Sequence, residues 1–443
     1  MDRNLMIKNL WLAKIANNDI QPVFCDLEIS NGLISNIYKK DFDEFLQSKG
    51  KSYENEYDAK GCIATIPMIN FHEHIYSRLA KGIKVKVFTG NFVNILKNLW
   101  WKLDNLLDYE MIKASAWMCA IESIKSGTTY IFDHHSSPQA TKGSLKLISQ
   151  ELSKFGLKGN ICFETTDRNG KKLRESALKE NFEFISFAGD NFKGMFGLHA
   201  SFTLQDESLK KISKLIKELD TGIHIHICED KADRLLSKKR FKAFPLERLI
   251  KNELVNHKSI LAHGIHLKRK EYKKVAELGA AIALNPDSNM NNSVGLIRFE
   301  KLSENLIILP GTDGMHSNIK KTIKTLFLLS RYAGKSFDAS FSFIKNLYIN
   351  QIKFIRNYFS DFSLLDTKSQ ANLVIWDYVP VNYLSSENFW GHFIYAILER
   401  EAKSVIQQGN FLMKDFQLQF DEDSINREIF IQGLRLKQKF ENS

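Results

Sequence analysis

Eight short apolar runs, separated by longer amphipathic segments rich in Lys, Glu and Leu, constrain this chain more than any other feature. They stop near Asn70, Asp133, Glu164, His199, His226, His263, Asn285 and Pro310, the last leading into Gly311-Thr312-Asp313. Such alternation is the pattern of strand-helix units wound around a parallel sheet. It predicts an α/β chain built on a (β/α)8 TIM barrel, in which catalytic groups gather at the C-terminal ends of the strands. A polar or chelating residue at nearly every run end is what that fold demands.

The flanks differ. Val23–Ile29 and Leu33–Ile37, joined by Ser30-Asn31-Gly32, read as a β-hairpin, because Asn-Gly suits the left-handed turn that matches strand twist. Residues 371–377 and 404–412 have the same short-strand character. The two termini, 1–64 and 365–443, are therefore predicted to form one small β-sandwich domain beside a hydrolase barrel of residues 65–364. An insertion at 84–120 carries Trp100-Trp101 and apolar residues at helical spacing. It is expected to pack as core against the barrel, with a lid or dimer interface as the alternative.

At 443 residues and 44% hydrophobic, the chain can bury a large core. Lys plus Arg exceed Asp plus Glu, 62 to 51, but the charges are interleaved, which points to a solvated surface and not to a nucleic-acid site. Cys25, Cys62, Cys119, Cys162 and Cys228 are isolated and form no C-x-x-C pair, so buried thiols in a reducing compartment are expected. Met1–Ile15 lacks the apolar core of a signal peptide, and no run approaches the roughly 20 residues of a membrane span. The expectation is a cytoplasmic protein with a small-molecule substrate and neither a membrane nor a nucleic-acid partner.

His72-Glu73-His74 ends the first run. Strand side chains alternate faces, so the two imidazoles project to one side and Glu73 to the other. In Gly222-Ile223-His224-Ile225-His226, His226 lies nearer the open end and is the better ligand, with His224 one layer deeper. His72, His74, His226 and Asp313 would supply three nitrogens and one oxygen, a set suited to a single Zn²⁺, with Fe²⁺ the alternative. Asp313 has a plainer reading as a turn-forming residue before Gly314. Glu229, just past the fifth run, is placed to shuttle protons, although it could equally be an exposed loop glutamate. His263 could steady charge that grows in the transition state. His199, Asn289 and Asn292 are candidate substrate contacts, with a buried structural histidine and surface-turn asparagines as the competing readings. No lysine stands at the fourth run end to bridge two cations, so one metal is expected.

Taken together, His72-Glu73-His74-Ile75-Tyr76-Ser77, Gly127-Thr128-Thr129, Gly197-Leu198-His199, His226-Ile227-Cys228-Glu229, Ser288-Asn289-Met290-Asn291-Asn292 and Gly311-Thr312-Asp313-Gly314 resemble the amidohydrolase superfamily, and within it the SsnA-type aminohydrolases. The likeness spans essentially the whole chain. It implies that His72, His74, His226 and Asp313 bind the metal, that Glu229 moves protons and that His263 polarises the reacting centre. It also implies a homodimer. Glu73 departs from the family pattern, which has a small residue between the histidines, and Leu284 stands where histidine is common. The expected activity is attack on a C–N bond by hydroxide generated at the metal, deaminating or opening a purine-like N-heterocycle, with halide release a neighbouring chemistry. A rival class is a non-catalytic metal-binding accessory factor for a molybdenum or selenium hydroxylase; intact Glu229 and His263 argue against it. A cytidine-deaminase-type zinc site is set aside because Pro-Cys-x-x-Cys is missing.

Overall fold

The computed structural model describes residues 4–47, 56–87 and 90–443. Residues 1–3 and 48–55 of the expected β-domain, and 88–89 of the expected insertion, lie outside the described residues. In chain order the N-terminal flank supplies β1 (Asn4–Ala16), β2 (Asp19–Ser30), β3 (Leu33–Lys39), β4 (Tyr57–Asp58) and β5 (Ile63–Thr65). The middle of the chain supplies β6 (Met68–Glu73), β7 (Thr128–His135), β8 (Lys158–Phe163), β9 (Phe192–Gly194), β10 (Phe196–Ala200), β11 (Ile223–Ile227), β12 (Ile260–His263), β13 (Ala281–Leu284) and β14 (Ile307–Pro310). β15 (Leu373–Trp376), β16 (Ala402–Gln407), β17 (Asn410–Lys414) and β18 (Gln417–Leu418) complete the set. The chain divides into two compact units.

The first unit comprises Met1–Met68, Ser123–Thr129 and Lys335–Asp421. Both flanks meet in one mixed nine-stranded sheet, ordered β18-β17-β16-β15-β5-β1-β2-β3 with β4 also on β1. The expected hairpin is present: Ser30 pairs with Leu33, and the two turn residues take φ of 51° at Asn31 and 79° at Gly32. Both values are left-handed, as a two-residue hairpin turn requires. The 404–412 segment is a second hairpin, with Gln408 and Gly409 turning β16 into β17. Trp376 anchors the core, fully buried, with its indole N–H on the Thr65 hydroxyl at 2.9 Å. Gly127 packs against that ring at φ 75°, and a Cβ there would stand 2.6 Å from the indole. Only glycine meets both demands.

The second unit comprises Ile69–Glu122, Tyr130–Gly334 and Glu422–Ser443. Its strands form a four-stranded sheet, β6-β7-β8-β9, and a five-stranded sheet, β10-β11-β12-β13-β14. The latter is parallel throughout. Every residue of β7, β8 and β10 is buried, as expected where both faces of a parallel sheet are covered. The eight apolar runs correspond to these strands, the fourth being divided at Met195 into β9 and β10. Isolated parallel bridges join Thr165 to Leu198 and Glu73 to Asp313.

Within the insertion, Met111, Ile112, Ala116 and Cys119 of the helix Tyr109–Lys125 are buried, as a core-packing reading predicts. Trp100 and Trp101 instead line a cavity described below. The last helix, Glu422–Glu441, belongs to this unit, where Arg435 and Lys439 each reach Asp108 at 2.8 Å. All five cysteines are buried and unpaired with one another. No helix among the described residues is long and apolar enough to cross a membrane.

Candidate metal centre

β6 delivers His72 and His74 to one face, and Glu73 points away, as strand alternation requires. The partner of each Nδ1 decides what each Nε2 can do. His74 Nδ1 donates to the carbonyl of His134 at 2.7 Å, and His226 Nδ1 donates to the carbonyl of His199 at 2.9 Å. In the neutral rings both Nε2 atoms carry lone pairs, and they lie 3.0 Å apart. His72 Nδ1 meets His224 Nε2 at 2.9 Å, so the deeper histidine of β11 holds the ring of the shallower one on β6. His72 Nε2 is buried with no hydrogen-bond partner.

Asp313 follows β14 in a left-handed conformation, φ 53°, with its N–H on the His72 carbonyl at 2.9 Å. Its Oδ1 lies 2.9 Å from His74 Nε2 and 3.6 Å from His72 Nε2, and its Oδ2 accepts from the Ser288 hydroxyl. Burial alone would raise this carboxyl, but the His72 and His74 imidazoles close against it, with His263 beyond, outweigh burial and hold it well below the ordinary range. It is ionised. Burial, reinforced by neighbouring imidazoles, pushes His226 well below its ordinary value, which leaves the neutral ligating form.

His263 belongs to the same cluster, since its ligand atom and those of His72, His226 and Asp313 all lie within 4.8 Å of one another. Its tautomer differs. The Asn289 amide donates to His263 Nδ1 at 2.9 Å, so in the neutral ring Nε2 carries the proton. Burial lowers this imidazole to about 3, which keeps it neutral at physiological pH. His263 Nε2 faces Glu229 Oε2 at 3.6 Å and Asp313 Oδ2 at 3.9 Å, and is suited to donate, not to ligate.

Glu229 sits just past β11, nearly buried, accepting from the Asn292 amide at 3.3 Å. Burial, aided by the charge of Asp313, raises its carboxyl well above the ordinary range. A protonated carboxyl beside an ionised one is an arrangement able to hand a proton on.

Of these groups His74, His226, Glu229 and Asp313 line a cavity, His72 and His263 not being among its lining residues, and its wall also includes Trp100, Trp101, Asp104, Glu164, Arg168 and His199. His199 Nδ1 bonds the Thr203 hydroxyl at 2.9 Å. That hydroxyl already donates to the Ala200 carbonyl, so it accepts from His199 and leaves Nε2 as an acceptor in the wall. Asn292 also lines the cavity. Asn289 does not: it is buried behind His263. The Arg168 guanidinium lies 4.9 Å from the Trp101 ring centre and pairs with Asp104. Its Nη2 also lies 3.2 Å from Glu164 Oε1, while its Nε and Nη1 have no hydrogen-bond partners. Sequence reasoning missed this cluster, and it missed His134, whose ring lies 4.7 Å from that of His226. Glu164 was singled out only as a strand end.

A profile of the Amidohydrolase family matches residues 63–412. Over 437 residues, 96% of this chain and 97% of the relative, the chain is 25% identical to a 5-methylthioadenosine/S-adenosylhomocysteine deaminase of Desulforudis audaxviator. It is 27% identical over 413 residues to a 5'-deoxyadenosine deaminase of Methanococcus vannielii, covering 88% of this chain and 92% of that one. Among solved structures, an adenosine deaminase from Xanthomonas campestris with bound zinc matches at a TM-score of 0.83 and 17% identity, covering 98% of each chain.

Proposed function

The chain belongs to the amidohydrolase family, and from that premise we propose that it is a metal-dependent hydrolase that deaminates a purine-like nucleoside. One observation carries the reading: Asp313 Oδ1 lies 2.9 Å from His74 Nε2 and 3.6 Å from His72 Nε2, and His74 Nε2 lies 3.0 Å from His226 Nε2, beside Glu229 and His263. The orphaned, buried His72 Nε2 fits a cation there. Three imidazole nitrogens and one carboxylate suit Zn²⁺, with Fe²⁺ equally compatible with the donor set. When bound, the cation supplies Lewis-acid chemistry that acidifies water.

The remaining steps belong to the chain's own residues. Hydrolytic deamination forms a carbon–oxygen bond, breaks the carbon–nitrogen bond and releases ammonia. Glu229, nearly enclosed and holding its proton, delivers it to the leaving nitrogen and takes up one from water. His263 Nε2–H donates to the ring as negative charge grows there. His199 Nε2 accepts from a ring or exocyclic N–H, and the Trp101 face offers a stacking surface.

The named deaminase relatives act on adenine nucleosides, which supports the substrate class. The fold reading goes with it: β6 through β14 close into an eight-membered barrel, β9 and β10 counting as one strand. The bridges Thr165–Leu198 and Glu73–Asp313, one at each junction of the two sheets, support closure. The testing experiment is elemental analysis of the purified protein, followed by ammonia release from adenine nucleosides, free purines and triazines. About one equivalent of zinc or iron and release fastest from a nucleoside are expected. A metal-loaded protein that frees no ammonia from any purine would refute the assignment.

Glu164 adds a pH signature. Burial raises its carboxyl to about 7, with Arg168 opposing. Above that value it is an ionised acceptor paired with Arg168 Nη2 and beside the guanidinium's unpartnered Nε and Nη1, a grouping that matches a sugar hydroxyl. KM for a neutral nucleoside is therefore expected to fall as pH rises through about 7, and Glu164→Gln to flatten that step. Steady-state kinetics between pH 5.5 and 8.5 check it, the range being chosen to bracket a group near roughly 7.

A further inference from the structure

Behind the metal-facing side of β6 lies a fully buried ion pair. Glu73 and Arg78 both have side-chain exposures of 0%. Arg78 donates to Glu73 Oε1 from Nε at 3.0 Å and Nη2 at 2.6 Å. The same guanidinium points Nη2 at the carbonyl of Asp313 and Nη1 at that of Gly314, each at 3.4 Å. Glu73 gathers further bonds, from the Ser317 hydroxyl and from the Asn70 amide, each at 2.5 Å. Asn70 in turn donates to the Thr312 hydroxyl at 2.7 Å and accepts from its N–H at 3.2 Å. Cys119 Sγ, from the helix Tyr109–Lys125, also donates to Glu73 Oε1 at 3.3 Å, and the arms through Arg78, Asn70 and Ser317 all reach the 312–317 segment.

A buried ion pair is a poor device for stability, because desolvating two charges cancels most of their attraction. It does fix geometry. Asp313 needs fixing: a non-glycine residue at φ 53° holds a strained backbone only where its surroundings over-determine it. We propose that Glu73 and Arg78 are positioning residues for Asp313, holding the main chain of 312–314 so that the carboxylate faces the imidazoles of His72 and His74. The inference rests on the metal-centre reading above. Strand alternation makes the device possible, since Glu73 occupies the one position of His72-Glu73-His74 that faces away from the site.

The test measures zinc affinity by chelator competition, the absorption spectrum of the cobalt-substituted protein and the melting temperature. It compares the parent with Asp313→Ala, Glu73→Gln/Arg78→Met and Arg78→Lys. The double variant removes both charges together, so neither is stranded in the interior. It is expected to melt near the parent while binding zinc about 10- to 100-fold more weakly, the range for groups that orient metal ligands, with an altered cobalt spectrum. Arg78→Lys keeps the pairing with Glu73, but one ammonium cannot serve two carbonyls as well, and an intermediate loss is expected. Parental zinc affinity and cobalt spectrum in a folded double variant, or in Arg78→Lys should the double variant not fold, overturn the proposal so long as Asp313→Ala has lost zinc. If Asp313→Ala binds zinc like the parent, the metal-centre reading itself falls, and the positioning role falls with it.

Discussion

Asp313→Ala is expected to leave the purified protein with little metal after dialysis and to lower ammonia release by about 10⁴-fold, several kcal/mol of lost Lewis-acid stabilisation. The size follows from what the side chain does alone. It is the only carboxylate in the proposed ligand set, and its Oδ1 is the anionic atom nearest both His74 Nε2 and His72 Nε2, at 2.9 and 3.6 Å. Three neutral imidazoles without it would face a dication with no compensating charge. The substitution also places alanine at φ 53°, a conformation that aspartate tolerates better, at a cost of about 1 kcal/mol. Asp313→Asn separates these effects, because it keeps shape and turn preference while removing charge. Loss of metal in both variants, measured by elemental analysis alongside melting temperature, assigns the effect to the carboxylate. Full metal content and turnover in Asp313→Asn would remove Asp313 from the ligand set.

The centre was legible in the sequence because its parts obey short-range rules. Period-two alternation placed His72 and His74 together and set His224 one layer below His226; the structure turns that difference in depth into a contact, with His224 holding the His72 ring. The strand ends were legible because buried runs stop abruptly where the chain leaves the sheet. What alternation could not say was what stands opposite. It sent Glu73 away from the site without showing that Arg78, five residues on, and Ser317, 244 residues on, would meet it. The tautomer of His263 depends on the Asn289 amide, and no pattern in the sequence distinguishes an amide aimed at an imidazole from one aimed at a ligand. Trp101 read as core from its spacing, yet it lines the cavity, where it faces Arg168. Helical period reports that a face is apolar; it does not report whether protein or ligand covers it. The turn reading and the proposed ligand reading of Asp313 are compatible, since the left-handed turn carries the carboxylate to 2.9 Å from His74 Nε2.

Glu229→Gln is expected to keep its metal and a near-parental KM while kcat falls by about 10²- to 10⁴-fold, the usual worth of a positioned proton donor and acceptor. Glutamine preserves the side chain's volume and can still meet the Asn292 amide, but it has no proton to give at this position. The stability consequence runs the other way. Burial and the Asp313 charge raise the Glu229 carboxyl well above its ordinary value, so the folded protein binds that proton more tightly than the unfolded chain does. Its stabilising contribution is therefore full below the unfolded value of roughly 4.3 and is lost as pH rises toward the folded one. A neutral glutamine escapes this loss, so for the protein stripped of metal the variant should melt no lower than the parent at neutral pH and somewhat higher at alkaline pH. A loss of turnover without loss of metal or stability is the signature of a catalytic proton carrier. It also separates an enzyme from a protein that only holds a cation, for which no carboxyl beside the site need change protonation at all. Parental turnover in Glu229→Gln would transfer the proton chemistry to another group, with His263 across 3.6 Å the next to test.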